Sequence, residues 1–345
     1  MLEFVQYNYE TNPAFYYYIL TFVCIIGLIF GSFINVVGLR LLSGESIVLP
    51  PSKCPNCNTK LKWYDNIPVL AYLLLLGKCR YCKVPISWQY PVVEAVTATL
   101  FLLIFLQFGF TIATPILWIL AGCCVVMCIT DFREQVIFDA VSMPLIPIGL
   151  VYSYFNFGKV NTEQIELFKT GFLINETFVS AIIGITVAFL FFEIISLISR
   201  LLIKHRAFGE GDTIIAMVFG AFFGWKAVCA IILLSFFVQA FITLPIMLIK
   251  LLKIKDRTAL LSFIILILSA VSPLILTKLN FFNTAIGSIL LILGALGTAG
   301  ISALIFLKRM KELESYTLLP FGPALIGAGF LIIFFYENII NFIGL

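Results

Sequence analysis

The sequence predicts an all-α polytopic membrane protein with about ten transmembrane helices; eight to ten fit it. Two observations carry this. Hydrophobic residues make up 61% of the 345 residues and charged residues 12%, about half the ~25% of a soluble domain, and the mean hydropathy is +1.09. The apolar runs are also unbroken and approach the ~20 residues a spanning helix needs, without the short alternating strands of a membrane barrel. Disorder, a coiled coil and an ordinary soluble enzyme are excluded.

Residues 1–13 are polar and slightly acidic through Glu3 and Glu10. With no basic n-region and no small-residue cleavage site, they do not read as a removable signal peptide. Spans are expected at 15–38, 91–110, 113–130, 141–157, 177–199, 212–224, 226–249, 258–277, 284–307 and 319–340. Those at 141–157 and 212–224 are short and interrupted by Pro or Gly. This divides the chain into an N-terminal segment and first helix (1–38), a cytoplasmic loop domain (39–90), a helical core (91–249), additional helices (250–315) and a C-terminal helix (316–345). No internal repeat is visible.

Lys and Arg placement orients these spans. With ten crossings, the loops on one side, including 39–90, hold 18 of the 22 basic residues; the opposite loops hold Lys159, Lys169, Lys226 and Lys278. The rich side is cytoplasmic, so both termini lie outside. A net charge of +4 therefore reflects topology and implies no nucleic-acid partner.

The 39–90 loop contains Cys54-Pro-Asn-Cys57 and Cys79-Arg-Tyr-Cys82, separated by 21 residues. Two C-x-x-C turns at this spacing suit one tetrahedral zinc. The cytosol disfavours disulfides, and about 50 residues build little core, so a metal would supply folding energy. Four thiolates leave no open coordination position, which makes the expected zinc structural. Cys24, Cys123, Cys124, Cys128 and Cys229 sit in apolar spans and read as small core residues.

Acids inside spans are costly, ~2.5–3.5 kcal/mol at a helix centre. Asp131 ends the 113–130 span, Asp139 follows eight residues later, and Asp212 closes Gly209-Glu210-Gly211-Asp212 on another span; Glu94 and Glu193 also lie within spans. Asp131 and Asp212 are expected at the same depth on the cytoplasmic side. Two such carboxyls can share a proton, one accepting from water and the other donating to a carbonyl oxygen, as in an aspartic protease. The glycines before Asp212 would let a substrate backbone approach. The alternative is that each Asp caps a helix or pairs with a neighbour such as Arg133. The single histidine, His205, lies between Lys204 and Arg206, which argues against Ser-His or His-zinc hydrolysis. No phosphate-cradling glycine pattern appears, and Gly27-x-x-x-Gly31 is a weak helix-packing signal.

Across most of its length the chain resembles the bacterial type IV prepilin peptidases (prepilin leader peptidase/N-methyltransferase), which are GxGD-type intramembrane aspartyl proteases. The motifs are Gly31-Ser32-Phe33-Ile34-Asn35-Val36-Val37 with Arg40, Ser52-Lys53-Cys54-Pro55-Asn56-Cys57, Trp63-Tyr64-Asp65-Asn66-Ile67-Pro68-Val69-Leu70, Gly77-Lys78-Cys79-Arg80-Tyr81-Cys82, Ile86-Ser87, Tyr90-Pro91-Val92-Val93-Glu94, the two aspartate segments, and Leu319-Pro320-Phe321-Gly322-Pro323. The resemblance implies catalytic Asp131 and Asp212. It implies supporting or substrate-binding roles for Gly209, Glu210, Gly211, Asp139, Glu94, Asn35, Arg40, Pro320 and Gly322, and zinc on Cys54, Cys57, Cys79 and Cys82. The substrates would be prepilins or pseudopilins with a basic leader and a hydrophobic helix, serving a type IV pilus or type II secretion. They would be cut at the cytoplasmic face of the inner membrane, and S-adenosylmethionine would methylate the new N-terminus. Glu45, Asp65, Glu134 or Glu210 could meet the basic leader. The chain departs from the family at Phe138, where Pro is usual, at Ile214, where Lys is usual, and in the extra spans of 250–315. The rival readings are a methyltransferase with an inactive protease site and a proton-coupled transporter using the two acids.

Overall fold

A computed structural model describes residues 13–49, 51–155, 176–203, 206, 208–254, 257–258, 260–262, 264–265 and 320–343. The expected spans at 258–277 and 284–307 lie largely outside them. Nine helices are described: α1 (Pro13–Ser43), α2 (Leu70–Leu74), α3 (Gln89–Phe108), α4 (Ala113–Glu134), α5 (Asp139–Ser142), α6 (Leu145–Phe155), α7 (Glu176–Ile203), α8 (Glu210–Ile254) and α9 (Gly322–Ile343), with a 3₁₀ turn at Trp63–Asn66. Five segments, in α1, α3, α4, α7 and α8, are long and apolar enough to cross a membrane. Among the described residues there are no strands, only two isolated bridges, Lys53 with Lys60 and Lys78 with Pro85. The chain divides into two compact units, residues 1–238 with 320–345, and residues 239–319.

The first unit is built around α4, whose buried Leu117, Leu120, Cys124 and Met127 join Phe101 and Ile104 of α3 and Leu325 of α9 in one core. Helix α1 meets α3 through small residues. A methyl group on Gly27 would stand 2.5 Å from Ala98 Cα, and one on Gly31 would stand 2.7 Å from Glu94 Cα. The Gly-x-x-x-Gly spacing is therefore a true helix contact, matched by Glu94 and Ala98 one turn apart on the partner helix.

The expected 141–157 span is two pieces. Helix α5 ends at Ser142 and α6 begins at Leu145; Pro144 stands between them and has no N–H with which to continue the ladder. The 212–224 and 226–249 spans fall within α8 on either side of a break at Gly224 (φ 78°, ψ −177°). The break is a reversal. The Phe208 and Phe236 rings lie 6.2 Å apart, whereas a straight helix would separate them by about 40 Å. Gly224 adopts a backbone conformation that a residue with a Cβ rarely reaches, and Ser180 of α7 occupies the space where its side chain would be.

Candidate active site and metal centre

Asp131 lies in the last turn of α4 and Asp212 in the first turn of α8. Both are buried, at 6% and 8% exposure. The Gly209 N–H donates to Asp212 Oδ2 at 3.2 Å, closing the Gly209-Glu210-Gly211-Asp212 turn on its own carboxyl. The two carboxyls belong to one neighbourhood: a methyl group on Gly322 would stand 2.5 Å from Asp131 Oδ2 and 3.3 Å from Cδ1 of Ile215, three residues past Asp212. Asp131 does not pair with Arg133, whose guanidinium donates instead to Gln89 Oε1 at 2.6 and 3.1 Å. The bound that stops α4 just past Asp131 is Gln135, a left-handed C-cap whose N–H donates to the Asp131 carbonyl.

The C-terminal helix closes the site. The Gly322 N–H faces the Asp131 carboxyl, and a methyl group on Gly322 would stand 2.5 Å from Asp131 Oδ2. That oxygen is buried and has no hydrogen-bond partner among the described residues; Thr213 Oγ1, next to Asp212, is in the same position. An unmet buried acceptor costs about 1–3 kcal/mol, and a catalytic role or a bound water is among the reasons a native fold keeps one. Phe321 is held by Phe192, Phe208 and Phe236, with ring centroids 6.3, 5.2 and 5.4 Å away. Phe208 directly precedes Gly209, so one aromatic cluster joins the two turns that flank the carboxyls.

Several expectations change here. The space beside Gly211 is filled by Ile137, whose Cδ1 would stand 2.6 Å from a methyl group there. The missing side chain of Gly211 thus serves helix-to-loop packing, whereas a methyl group on Gly209 would meet only Asp212 Oδ2 at 3.5 Å and the Gly211 nitrogen at 4.0 Å. Asp65 is not available to a basic leader, because its side chain is 3% exposed. It accepts from Arg80 Nε at 2.6 Å, Tyr81 Oη at 3.1 Å and the Lys62 N–H at 3.2 Å. Glu210 is exposed and ion-paired with Arg206, which also binds Glu193. Asp139 is exposed at the start of α5. There Phe138, in place of the family's Pro, holds φ −82°, close to proline's own range.

Other resemblance residues form a polar group between α1 and α3, joined to the end of α4 through Gln89 and Arg133. Asn35 is fully buried and accepts from Gln89 Nε2 at 3.1 Å, while its Nδ2 has no partner among the described residues. Glu94 Oε2 accepts the Val69 N–H at 2.7 Å. Arg40 Nη1 donates to the Ser46 and Ile47 carbonyls at 2.9 and 3.1 Å, folding the chain back after α1. Pro320 directly precedes Phe321. Nothing in the sequence pointed to Gln89, Phe192, Phe208 or Phe236, and it offered Arg133 only as a partner for an aspartate and Phe321 only within a motif. Only a register of which helices touch, which one chain does not give, would have found them.

The four cysteines meet. Their sulfurs all lie within 4.8 Å of one another, with Cys54 and Cys82 at 3.8 Å. Four Sγ atoms around one ion at ~2.3 Å would be about 3.8 Å apart, so the cluster can hold one metal ion. The two turns are built alike. The Cys54 N–H donates to the Thr59 carbonyl and the Cys79 N–H to the Val84 carbonyl; Asn58 and Lys83, each four residues past the first cysteine of its pair, take positive φ of 54° and 60°. The backbone N–H groups of Cys82 and Tyr81 point at the Cys79 sulfur and hold its thiol below the ordinary range.

The fold and site define a polytopic helical membrane protein with paired buried carboxyls and a four-thiolate module. Residues 25–108 match the bacterial peptidase A24 N-terminal domain, and residues 118–244 match the type IV leader peptidase family. A prepilin leader peptidase/N-methyltransferase of Klebsiella pneumoniae is 31% identical over 225 residues, 62% of this chain and 90% of the relative. One of Myxococcus xanthus is 32% identical over 214 residues, 62% of this chain and 59% of that relative. A type 4 prepilin-like proteins leader peptide-processing enzyme of Escherichia coli is 31% identical over 221 residues, 57% of this chain and 74% of the relative. No solved structure matches with significance. The chain belongs to the type IV leader peptidase family.

Proposed function

We propose that the chain is an intramembrane aspartic endopeptidase that cuts the leader from type IV prepilins or pseudopilins, with Asp131 and Asp212 as its catalytic pair. The observation that carries this is the placement itself: two buried carboxyls from different helices, with Gly322 at the start of α9 against Asp131 and against Ile215, three residues past Asp212. In such a pair one ionised carboxylate takes a proton from the attacking water. The other, protonated, donates to the scissile carbonyl oxygen, and the roles reverse as the amine leaves. The Gly209 N–H keeps the Asp212 carboxyl oriented. The site faces the cytoplasm from the inner membrane, and both termini lie outside. There a basic leader would stay in water near exposed Glu45 and Glu134, while its hydrophobic helix lies in lipid.

Cys54, Cys57, Cys79 and Cys82 would hold zinc. With four thiolates the ion is a structural cross-link for the 39–90 module and has no open position for substrate. The relatives' names add N-methylation, for which S-adenosylmethionine would be the methyl donor.

The test is leader cleavage by purified full-length protein in detergent, comparing wild type with Asp131→Asn and Asp212→Asn. Asn keeps the shape and removes the titrating group. Cleavage by wild type and failure of both folded variants supports the reading. Cleavage by both variants overturns the aspartic mechanism. Methylation without cleavage by wild type would favour an enzyme with an inactive protease site.

A further inference from the structure

The four-cysteine module carries an apolar surface that the peptidase reading does not use. Leu70, Leu73, Leu74 and Leu76 are 57, 59, 80 and 85% exposed. The first three share one face of α2, at i, i+3 and i+4. The opposite face is occupied: Ala71 is buried, and a methyl group on Gly77 would stand 3.0 Å from Tyr72 Oη. Surfaces of this kind mark a membrane or protein contact.

What covers these leucines follows from where the segment is fastened. The residue before α2 is Val69, whose N–H donates to Glu94 Oε2 at 2.7 Å. Glu94 is the sixth residue of the membrane-spanning helix α3, about 8 Å along it from its first residue. Its carboxyl is buried where α1 packs on α3, and Val92 and Val96 beside it in sequence are exposed and apolar. The start of α2 is therefore tied to the membrane helices at the depth of their first turns. The fastening is built in at some cost, because Val69 holds φ 58°, a region β-branched residues avoid. Leu76 and Gly77, at φ 52° and 67°, turn the chain back at the far end. Lys78 follows at once, and Lys83 stands in the next turn. Leucines backed by lysines suit the boundary between acyl chains and anionic headgroups.

We propose that Leu70, Leu73, Leu74 and Leu76 insert into the headgroup–acyl boundary of the bilayer, so that the four-cysteine module rests on the lipid as a second membrane contact of the chain.

The full-length protein would be reconstituted in nanodiscs of phosphatidylcholine and phosphatidylglycerol, with an environment-sensitive fluorescent amino acid at position 74 and, as control, at the exposed Lys60. The expected result is a blue-shifted emission at position 74, quenched several-fold more by shallow doxyl-labelled lipid than at position 60. Equal quenching at both positions would overturn the proposal. So would a position-74 signal that responds to an added prepilin but not to the quencher lipid, which would make the leucines a substrate surface. If the position-74 variant does not fold, the same comparison at position 76 decides. The readout does not depend on leader cleavage, so it stands or falls apart from the catalytic assignment.

Discussion

Gly322 and Asp131 are in van der Waals contact across the site, with room for a hydrogen on Gly322 and none for a carbon. A methyl group there would stand 2.5 Å from Asp131 Oδ2 and 3.3 Å from Ile215 Cδ1. Gly322→Ala should therefore displace the Asp131 carboxyl from its position relative to Asp212. Misplacement of a reacting group by about 1 Å costs on the order of a hundredfold in rate. The expected outcome is a fall in kcat of that order with little change in KM or thermal midpoint, read from leader cleavage and a melting curve on the same preparation. Unchanged kcat would mean that the carboxyl is free to move and that α9 has no part in positioning it.

The sequence made this arrangement only partly legible. Asp131 and Asp212 stood out because an acid at the end of an apolar run is expensive, and the cysteine turns stood out because their spacing leaves few other uses. Gly322 could be singled out by motif alone, because the residue it yields to lies 191 positions away (322 − 131). Gly211 was misjudged for the same reason: a glycine announces a close approach but does not name the visitor, which is Ile137. The reversal of α8 at Gly224 was foreshadowed by the boundary between the expected spans 212–224 and 226–249. The capture of Asp65 by Arg80 and Tyr81 had no signal beyond charge sign, which also fits an exposed acid.

The aromatic cluster gives a second prediction. Phe321 meets Phe208 and Phe236 at 5.2 and 5.4 Å, and a favourable ring pair contributes about 0.5–1.5 kcal/mol beyond its buried area. Phe321→Leu keeps most of the bulk and loses the ring contacts. It should lower the thermal midpoint modestly and cleavage more than proportionately, because the same ring sets the start of α9 against Asp131. Leu at Phe330, which belongs to the core of the same helix away from the site, should lower stability without the extra loss of rate. Equal behaviour of the two variants would reduce the cluster to ordinary packing.

Removal of the metal is the third. Structural zinc contributes on the order of 10–16 kcal/mol in small zinc-dependent folds, far more than the sparse core of residues 39–90 supplies. Cys57→Ser, or exhaustive chelation, should abolish stoichiometric zinc measured by elemental analysis and open this module to limited proteolysis. The membrane helices, which pack through a core of their own, should remain resistant. A module that stays protected without metal would show that its hydrogen bonds alone suffice.

The acid sensitivity of the module follows from Asp65. Burial works against its ionised form, but hydrogen bonds from Arg80, the Lys62 N–H and Tyr81 outweigh that and hold the carboxyl below its ordinary value. A carboxyl whose folded value is lowered stabilises the fold at every pH above its unfolded value of about 3.9, and the gain is lost as the pH falls through the folded value. Asp65→Asn should therefore make the 39–90 module more susceptible to proteolysis than wild type from neutrality down to about pH 4, with the difference narrowing only below that. The comparison is made between the two proteins at each pH, so that protonation of the cysteines, which both share, cancels. Arg80→Ala should give the same profile, since it removes the donor that most lowers the Asp65 carboxyl. A gap between Asp65→Asn and wild type that closed already near neutrality would assign the effect to another group.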